Sequence, residues 1–183
     1  MKINTSIRNR WSPVGFSNKD ISPEILNTIF EAARWAPSSM NEQPWRYYYS
    51  FRGEAGFGLM LDCLVKANRD WAKEAPVLIL SIANKNFEYK NRPNRHAMHD
   101  TGAANTLLAV QASDLGLQAH QMGGFDIDKT LSTFNLSPEE FEPASFIALG
   151  YPAKPELLDE NLRQRDTQER KRKDPSGLFK HFI

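Results

Sequence analysis

The sequence predicts an α+β fold, a mixed central sheet with helices on both faces, built as one domain over residues 1–183. Three observations carry this reading. Helix and strand signals interleave along the chain. The run Val77 to Ala83 is apolar almost without interruption, as in a strand covered on both sides. A chain of 183 residues, 40% of them hydrophobic, suffices for one well-buried core and is short for two.

The elements follow in order. Ser22-Pro23-Glu24 supplies an N-cap, a first-turn proline and an early acid ahead of Ile25, Leu26, Ile29, Phe30 and Ala33, and Pro37 closes that helix. Trp45 to Phe51 is aromatic-rich and reads as a strand. A second helix is expected from Glu54, with Phe57, Met60, Leu61, Leu64 and Val65 inward. After the strand Val77 to Ala83, a third helix from about His99 to Leu115 carries Ala103, Ala104, Leu107, Leu108 and Ala112, and Gly116 ends it. Leu117 to Met122 is the next strand, closed by Gly123-Gly124. Asp126 or Asp128 caps a short helix with Leu131 and Phe134, and Ser145 to Leu149 precedes Gly150. Asn84 to Asn94 and the tail from Lys154 are polar.

Composition excludes several classes. A net charge of +1 demands neither nucleic acid nor an anionic membrane. The lone Cys63 allows no internal disulfide and no multi-cysteine metal site. Met1 to Arg10 lacks the apolar core of a secretory signal, and Pro76 to Ala83 is too short to span a bilayer. The expectation is a cytoplasmic protein. His96 and His99 share a helical spacing but find no third ligand, so no metal is expected. His120 reads as a hydrogen-bonded core histidine, and Cys63 as buried and inert. Gly53 to Gly58 lacks G-x-G-x-x-G spacing, and no Walker, G-x-S-x-G or zincin motif is present.

Two kinds of segment suggest a ligand. Arg34 to Trp45 packs two hydroxyls, two amides and two prolines into a turn ahead of an aromatic run, which suits a flat polar ligand. Arg8 and Arg10 with Ser12, and Arg170 to Lys173 near the C-terminus, could form an anion cradle. The same basic run fits nucleic acid poorly, because Asp166, Glu169 and Asp174 dilute it and no aromatic interleaves.

Five segments, in order and at matching spacing, resemble the FMN-dependent nitroreductase family: Arg10-Trp11-Ser12 with Phe16; Pro37 to Trp45; Met122-Gly123-Gly124-Phe125-Asp126; Gly150 to Ala153; and Lys171 to Pro175. The resemblance implies a homodimer with FMN at the subunit interface. Arg10, Lys171 and Lys173, with Arg172 and Arg8 nearby and Ser12 as a neutral donor, would hold the phosphate. Ser38, Ser39, Asn41 and Gln43 would contact the partner's flavin, Asn68 the pyrimidine edge, and Gly123-Gly124 the region of N5. Family members commonly carry a cation two residues after the serine. Here Val14 stands there, and Arg8 is the candidate substitute.

The activity implied is ping-pong reduction of nitroaromatics, quinones or similar electron-poor acceptors by NADH or NADPH, with no catalytic side chain. Phe87, Tyr89, Arg92 and His96, in the segment Asn84 to Met98, are the candidate acceptor-facing residues of a lid. Residues 154–183 would form a basic extension packing on the partner. Two alternatives remain open at this point: the same scaffold as a flavin-dependent dehalogenase, enone reductase or dehydrogenase, or a non-enzymatic flavin-binding or nucleic-acid-associated module.

Overall fold

A computed structural model describes residues 3–182. Four strands form one sheet in the order β1-β2-β4-β3, with β1 Trp45–Phe51, β2 Val77–Asn84, β3 Gln118–Met122 and β4 Phe141–Gly150. The α+β class and the two-sided helical cover are as expected, but all three ladders are antiparallel rather than mixed. β2 and β3 do run the same way, joined by the long helix α5 (Ala97–Asp114). They are not neighbours, because β4 inserts between them and pairs with both. Local helix–strand alternation cannot reveal an insertion that occurs later in the chain. Pro143 cannot donate to a ladder, and the β2–β4 register shifts between Ser81 and Ile82, opposite the segment that contains it.

The sheet separates two cores. Val77, Ile79, Ile147 and Leu149 face α2 (Pro23–Arg34) and α5, whose Leu26, Ile29, Ala104, Leu108 and Ala112 are buried against them. Leu78, Leu80, Ile82, Phe146 and Ala148 face Phe57, Met60 and Cys63 of α3 (Ala55–Cys63) and Trp71 of α4 (Lys66–Ala72). Alternate residues of β2 thus serve opposite cores, which is why the strand reads as one apolar run.

Ser22 caps α2 as its sequence implies, its hydroxyl accepting from Ile25 N–H at 3.4 Å, and Asp126 caps α6 (Ile127–Thr133) through Lys129 N–H at 2.9 Å. The helix expected from Glu54 ends as α3 at Cys63, before Leu64 and Val65, and a separate helix, α4, follows from Lys66. Val65 N–H donates to the carbonyl of Gly124, and this tertiary bond takes the residue out of helical pairing. Two short polar helices lack a sequence signal: α1 (Thr5–Asn9) and α7 (Glu160–Asp166). No described helix is long and apolar enough to cross a membrane.

Candidate functional site

Three substructures hold the residues singled out above. The first is an arginine corner. Ser6 fastens α1 to the C-terminal end of α5 through Asp114 at 2.7 Å. The chain then runs beside β3, with Trp11 N–H donating to Gln118 (2.7 Å) and the ring of His120 bonding the Pro13 carbonyl (2.8 Å). Those anchors fix Arg10 and Ser12, which bond one another at 3.2 Å. From the far end of the sequence, Asp166 accepts from Val14 N–H (2.8 Å) and Gly15 N–H (3.0 Å) and delivers the tail to the same place. Arg170 lies over the Trp11 ring at 5.3 Å and donates to the Arg8 carbonyl. Arg8, Arg170 and Arg172 line one cleft with Ile3 and Ile7.

The electrostatics of this corner are uncompensated. Burial first, then Arg170 and Arg172, push the Arg10 guanidinium below its ordinary pKa. Among the described residues no carboxylate pairs with Arg8, Arg10, Arg170 or Arg172. A cluster of guanidiniums without a counter-anion is a site for a phosphate or similar group.

Several expectations are corrected here. Arg170 and Arg172 approach Arg10, whereas Lys171 has its amine 3.7 Å from Glu169 and a side chain 82% exposed. Arg170 and Arg172, though exposed, thus stand where Lys171 was expected, beside Arg10. The first half of the tail makes contacts with its own chain: Leu158 covers Gly15, Leu162 joins the core, and Asp166 bonds Val14 and Gly15. Val14 is 2% exposed and belongs to the core. Arg8 lies with Arg170 and Arg172, and no described contact brings it to Asn68 or Gly124.

The second substructure joins two predicted residues. The carbonyl of Gly124 accepts from Val65 N–H (3.1 Å) and from the Asn68 amide (3.0 Å). A Cβ at Gly124 would stand 2.8 Å from Asn68 Nδ2 and 2.9 Å from Val65 Cγ2, so this backbone passes where only glycine fits. Gly123 meets no such restriction. His120, tied to Pro13, lies in β3 and Gly124 two residues beyond its end, so the two are at most about 13 Å apart along the chain. The arginine corner and the Asn68–Gly124 contact therefore flank one strand end.

The third is the turn Ser38–Gln43. Met40, Asn41 and Gln43 have φ of 55°, 56° and 51°, a left-handed backbone that costs free energy for side-chain-bearing residues. The turn is held by Gln43 N–H to the Ser38 hydroxyl (2.9 Å), by the Gln43 amide to the Asn41 carbonyl (3.1 Å), and by Ser39 N–H to Asp100 (2.8 Å). Asp100 is buried, and its other oxygen meets Nδ1 of His99 at 2.9 Å. A pocket between Pro37–Ser39 and α5 is lined by His96, His99 and Asp100. Sequence reasoning missed Asp100. The available signal was an acid in the first turn of a helix otherwise built of small apolar residues. The turn docks on α5 at Asp100 and α1 docks at Asp114, fourteen residues on, or about 21 Å along the helix. One chain does not bring the turn to the arginine corner.

The expected lid is docked rather than free. Phe87, 8% exposed, is buried with Arg92 stacked over its ring at 5.2 Å, so its assignment to the acceptor is corrected: it anchors the segment. Tyr89 is exposed. His120, stacked on Trp71 at 4.6 Å and shifted below its ordinary pKa by burial, is the core histidine expected. Cys63 is buried with its thiol free.

The model of the nitroreductase family matches residues 7–56 and 58–151. A crystal structure described as an oxidoreductase containing FMN superposes with a TM-score of 0.85 at 32% identity, over 91% of this chain and 85% of that one. A nitroreductase family protein from Streptococcus pneumoniae TIGR4 shares the fold, with a TM-score of 0.77 at 17% identity over 97% and 98% of the two chains. A protein of Ralstonia nicotianae, provisionally named an NADH dehydrogenase/NAD(P)H nitroreductase, is 25% identical over 72% of this chain and 75% of its own. With most of its length matched by the family model and its fold shared by solved members, this chain belongs to the nitroreductase family.

Proposed function

We propose that this chain is a cytoplasmic FMN-dependent NAD(P)H oxidoreductase that reduces nitroaromatics, quinones or similar electron-poor acceptors and works as a homodimer with two sites. The observation that carries the proposal is the separation, within one chain, of an unneutralised arginine corner from a strained polar turn about 21 Å away along α5. Two copies facing one another would let each turn complete the other's corner. A solved relative at 32% identity contains FMN, which supports the choice of anion.

The residues fit that cofactor. Arg10, Arg170 and Arg172, with Ser12, would neutralise and orient the phosphate, with Lys171 and Lys173 adding a surrounding positive field. Asn68 would meet the polar edge of the ring, and the missing side chain of Gly124 lets Asn68 pack against that turn and hold its position. Ser38, Ser39, Asn41 and Gln43 of the second copy would close the site. Bound FMN would supply the redox chemistry, taking hydride from NADH or NADPH and passing it to the acceptor in a ping-pong cycle. The protein's part is orientation, charge and exclusion of water. Trp35, Tyr48, Tyr49, Phe179 and Phe182 are large apolar groups left exposed by one chain, and packing against the second copy, including the tail beyond Asp174, would bury such surface.

The test is anaerobic. Protein reconstituted with FMN should be yellow, lose its visible absorbance when NADH or NADPH is added, and regain it with a quinone or nitroaromatic. A protein that binds FMN but is not bleached by either coenzyme overturns the oxidoreductase reading in favour of a flavin-binding module.

A further inference from the structure

We propose that the acceptor selected at this site is anionic, an aromatic or quinonoid ring bearing a carboxylate, and that Arg92 is the residue that binds the carboxylate. This rests on the oxidoreductase reading above, in which the Ser38–Gln43 turn of one copy closes the flavin site of the other.

Arg92 is held by uncharged contacts on both sides. Its guanidinium stacks on Phe87 at 5.2 Å, and Nη2 lies 3.4 Å from the sulfur of Met40, the exposed residue at the strained apex of the turn. Its backbone is fixed as well: its carbonyl accepts from Phe87 N–H at 2.8 Å, and Asn86 bridges to Pro93. A long flexible side chain is thus pre-positioned at the rim of the turn with its charge unspent, since no carboxylate lies within ion-pair range among the described residues.

The neighbouring acids are occupied. Glu42 accepts from Glu88 N–H at 2.7 Å, the Glu88 carboxylate lies 3.7 Å from Arg46, and Asp100 is buried between Ser39 and His99. The remaining rim is basic: Lys90 sits over the Tyr89 ring at 5.1 Å, and Arg95 donates to His96 at 3.2 Å. Guanidinium matches carboxylate through two parallel hydrogen bonds, which an ammonium cannot reproduce. The phosphates of a nicotinamide coenzyme offer a similar anion, and the measurements below separate the two.

The ratio of kcat/KM for 4-nitrobenzoate to that for nitrobenzene should fall about tenfold or more in Arg92→Gln, from loss of a charge-assisted pair. Arg92→Lys, which keeps the charge but not the fork, should lie between. Benzoate, which cannot be reduced, should bind the wild-type holoprotein in a calorimetric titration, more weakly as salt rises, and should fail to bind Arg92→Gln. An unchanged acceptor ratio, or equal benzoate affinity in wild type and Arg92→Gln, overturns the proposal. So does a rise in KM for NADH or NADPH with the acceptor ratio unaltered, which would assign Arg92 to the coenzyme. Arg92-dependent benzoate binding by a protein that neither coenzyme bleaches would keep Arg92 as a carboxylate-binding residue but sink the oxidoreductase reading, and with it the claim that the bound anion is an acceptor.

Discussion

Replacing Arg170 by alanine separates the phosphate role of the tail from its structural role. In the folded chain Arg170 makes one stacking contact with Trp11 and one hydrogen bond to a carbonyl, while adding repulsion to Arg10. The stacking of an exposed cation contributes about 0.5–1 kcal/mol. Relief of like-charge repulsion offsets part of that, so the apoprotein should melt within a few degrees of wild type. Binding is different: loss of one charge-assisted bond to a phosphate costs about 1.5–3 kcal/mol, or roughly a 10- to 150-fold rise in Kd. The assay is quenching of flavin fluorescence, run with FMN and with riboflavin, which lacks the phosphate. Arg170→Ala should weaken FMN and leave riboflavin unchanged, whereas Lys171→Ala, at a solvated side chain, should change FMN affinity by less than about threefold. Equal losses for FMN and riboflavin, or a larger effect at Lys171 than at Arg170, would refute the assignment of the tail arginines beside Arg10.

Other substitutions probe the scaffold. Gly124→Ala drives a methyl to 2.8 Å from Asn68 Nδ2 and should cost about 1–3 kcal/mol in a thermal or denaturant melt, whereas Gly123→Ala, at an open position, should cost far less. Asp166→Ala removes the acceptor for Val14 and Gly15 N–H and should destabilise the protein by about 1.5–3 kcal/mol. It should also speed tryptic cleavage between Arg163 and Lys173. Burial holds His120 below its usual 6.5, so between that value and its lower folded pKa the unfolded chain binds the extra proton. Stability should therefore fall as pH drops below about 6.5, and His120→Gln should flatten that dependence in urea melts at pH 7 and pH 5.

Legibility in the sequence followed the range of the interactions. The start of α2 is written in three adjacent residues, Ser22-Pro23-Glu24, and the end of α5 in Gly116, whose φ is +77°. What failed was tertiary. Nothing near Leu64 or Val65 announces a break, because the competing acceptor is the carbonyl of Gly124. α1 and α7 are too short and polar to show periodicity, and they are held by Ser6–Asp114 and Asp166–Val14 pairs more than a hundred residues apart in sequence. The same holds for the site. Its motifs could be recognised, but which basic residue of the tail stands beside Arg10 depends on Arg170 meeting Trp11, and the buried partner of the turn, Asp100, sits on a different element. Val14 reads as a lost cation in a motif and proves to be core packing.

Subunit complementation addresses the two-copy site most directly. One chain would carry Arg10→Ala with Arg170→Ala, the other Ser38→Ala with Asn41→Ala, and each homodimer should retain little FMN after gel filtration. Mixed dimers purified through two different affinity tags should hold close to one FMN per dimer, since one of the two sites then has an intact corner and an intact turn. If mixed dimers are as empty as their parents, or if wild-type protein proves monomeric while binding FMN at full affinity, the pairing of two chains around each cofactor is wrong.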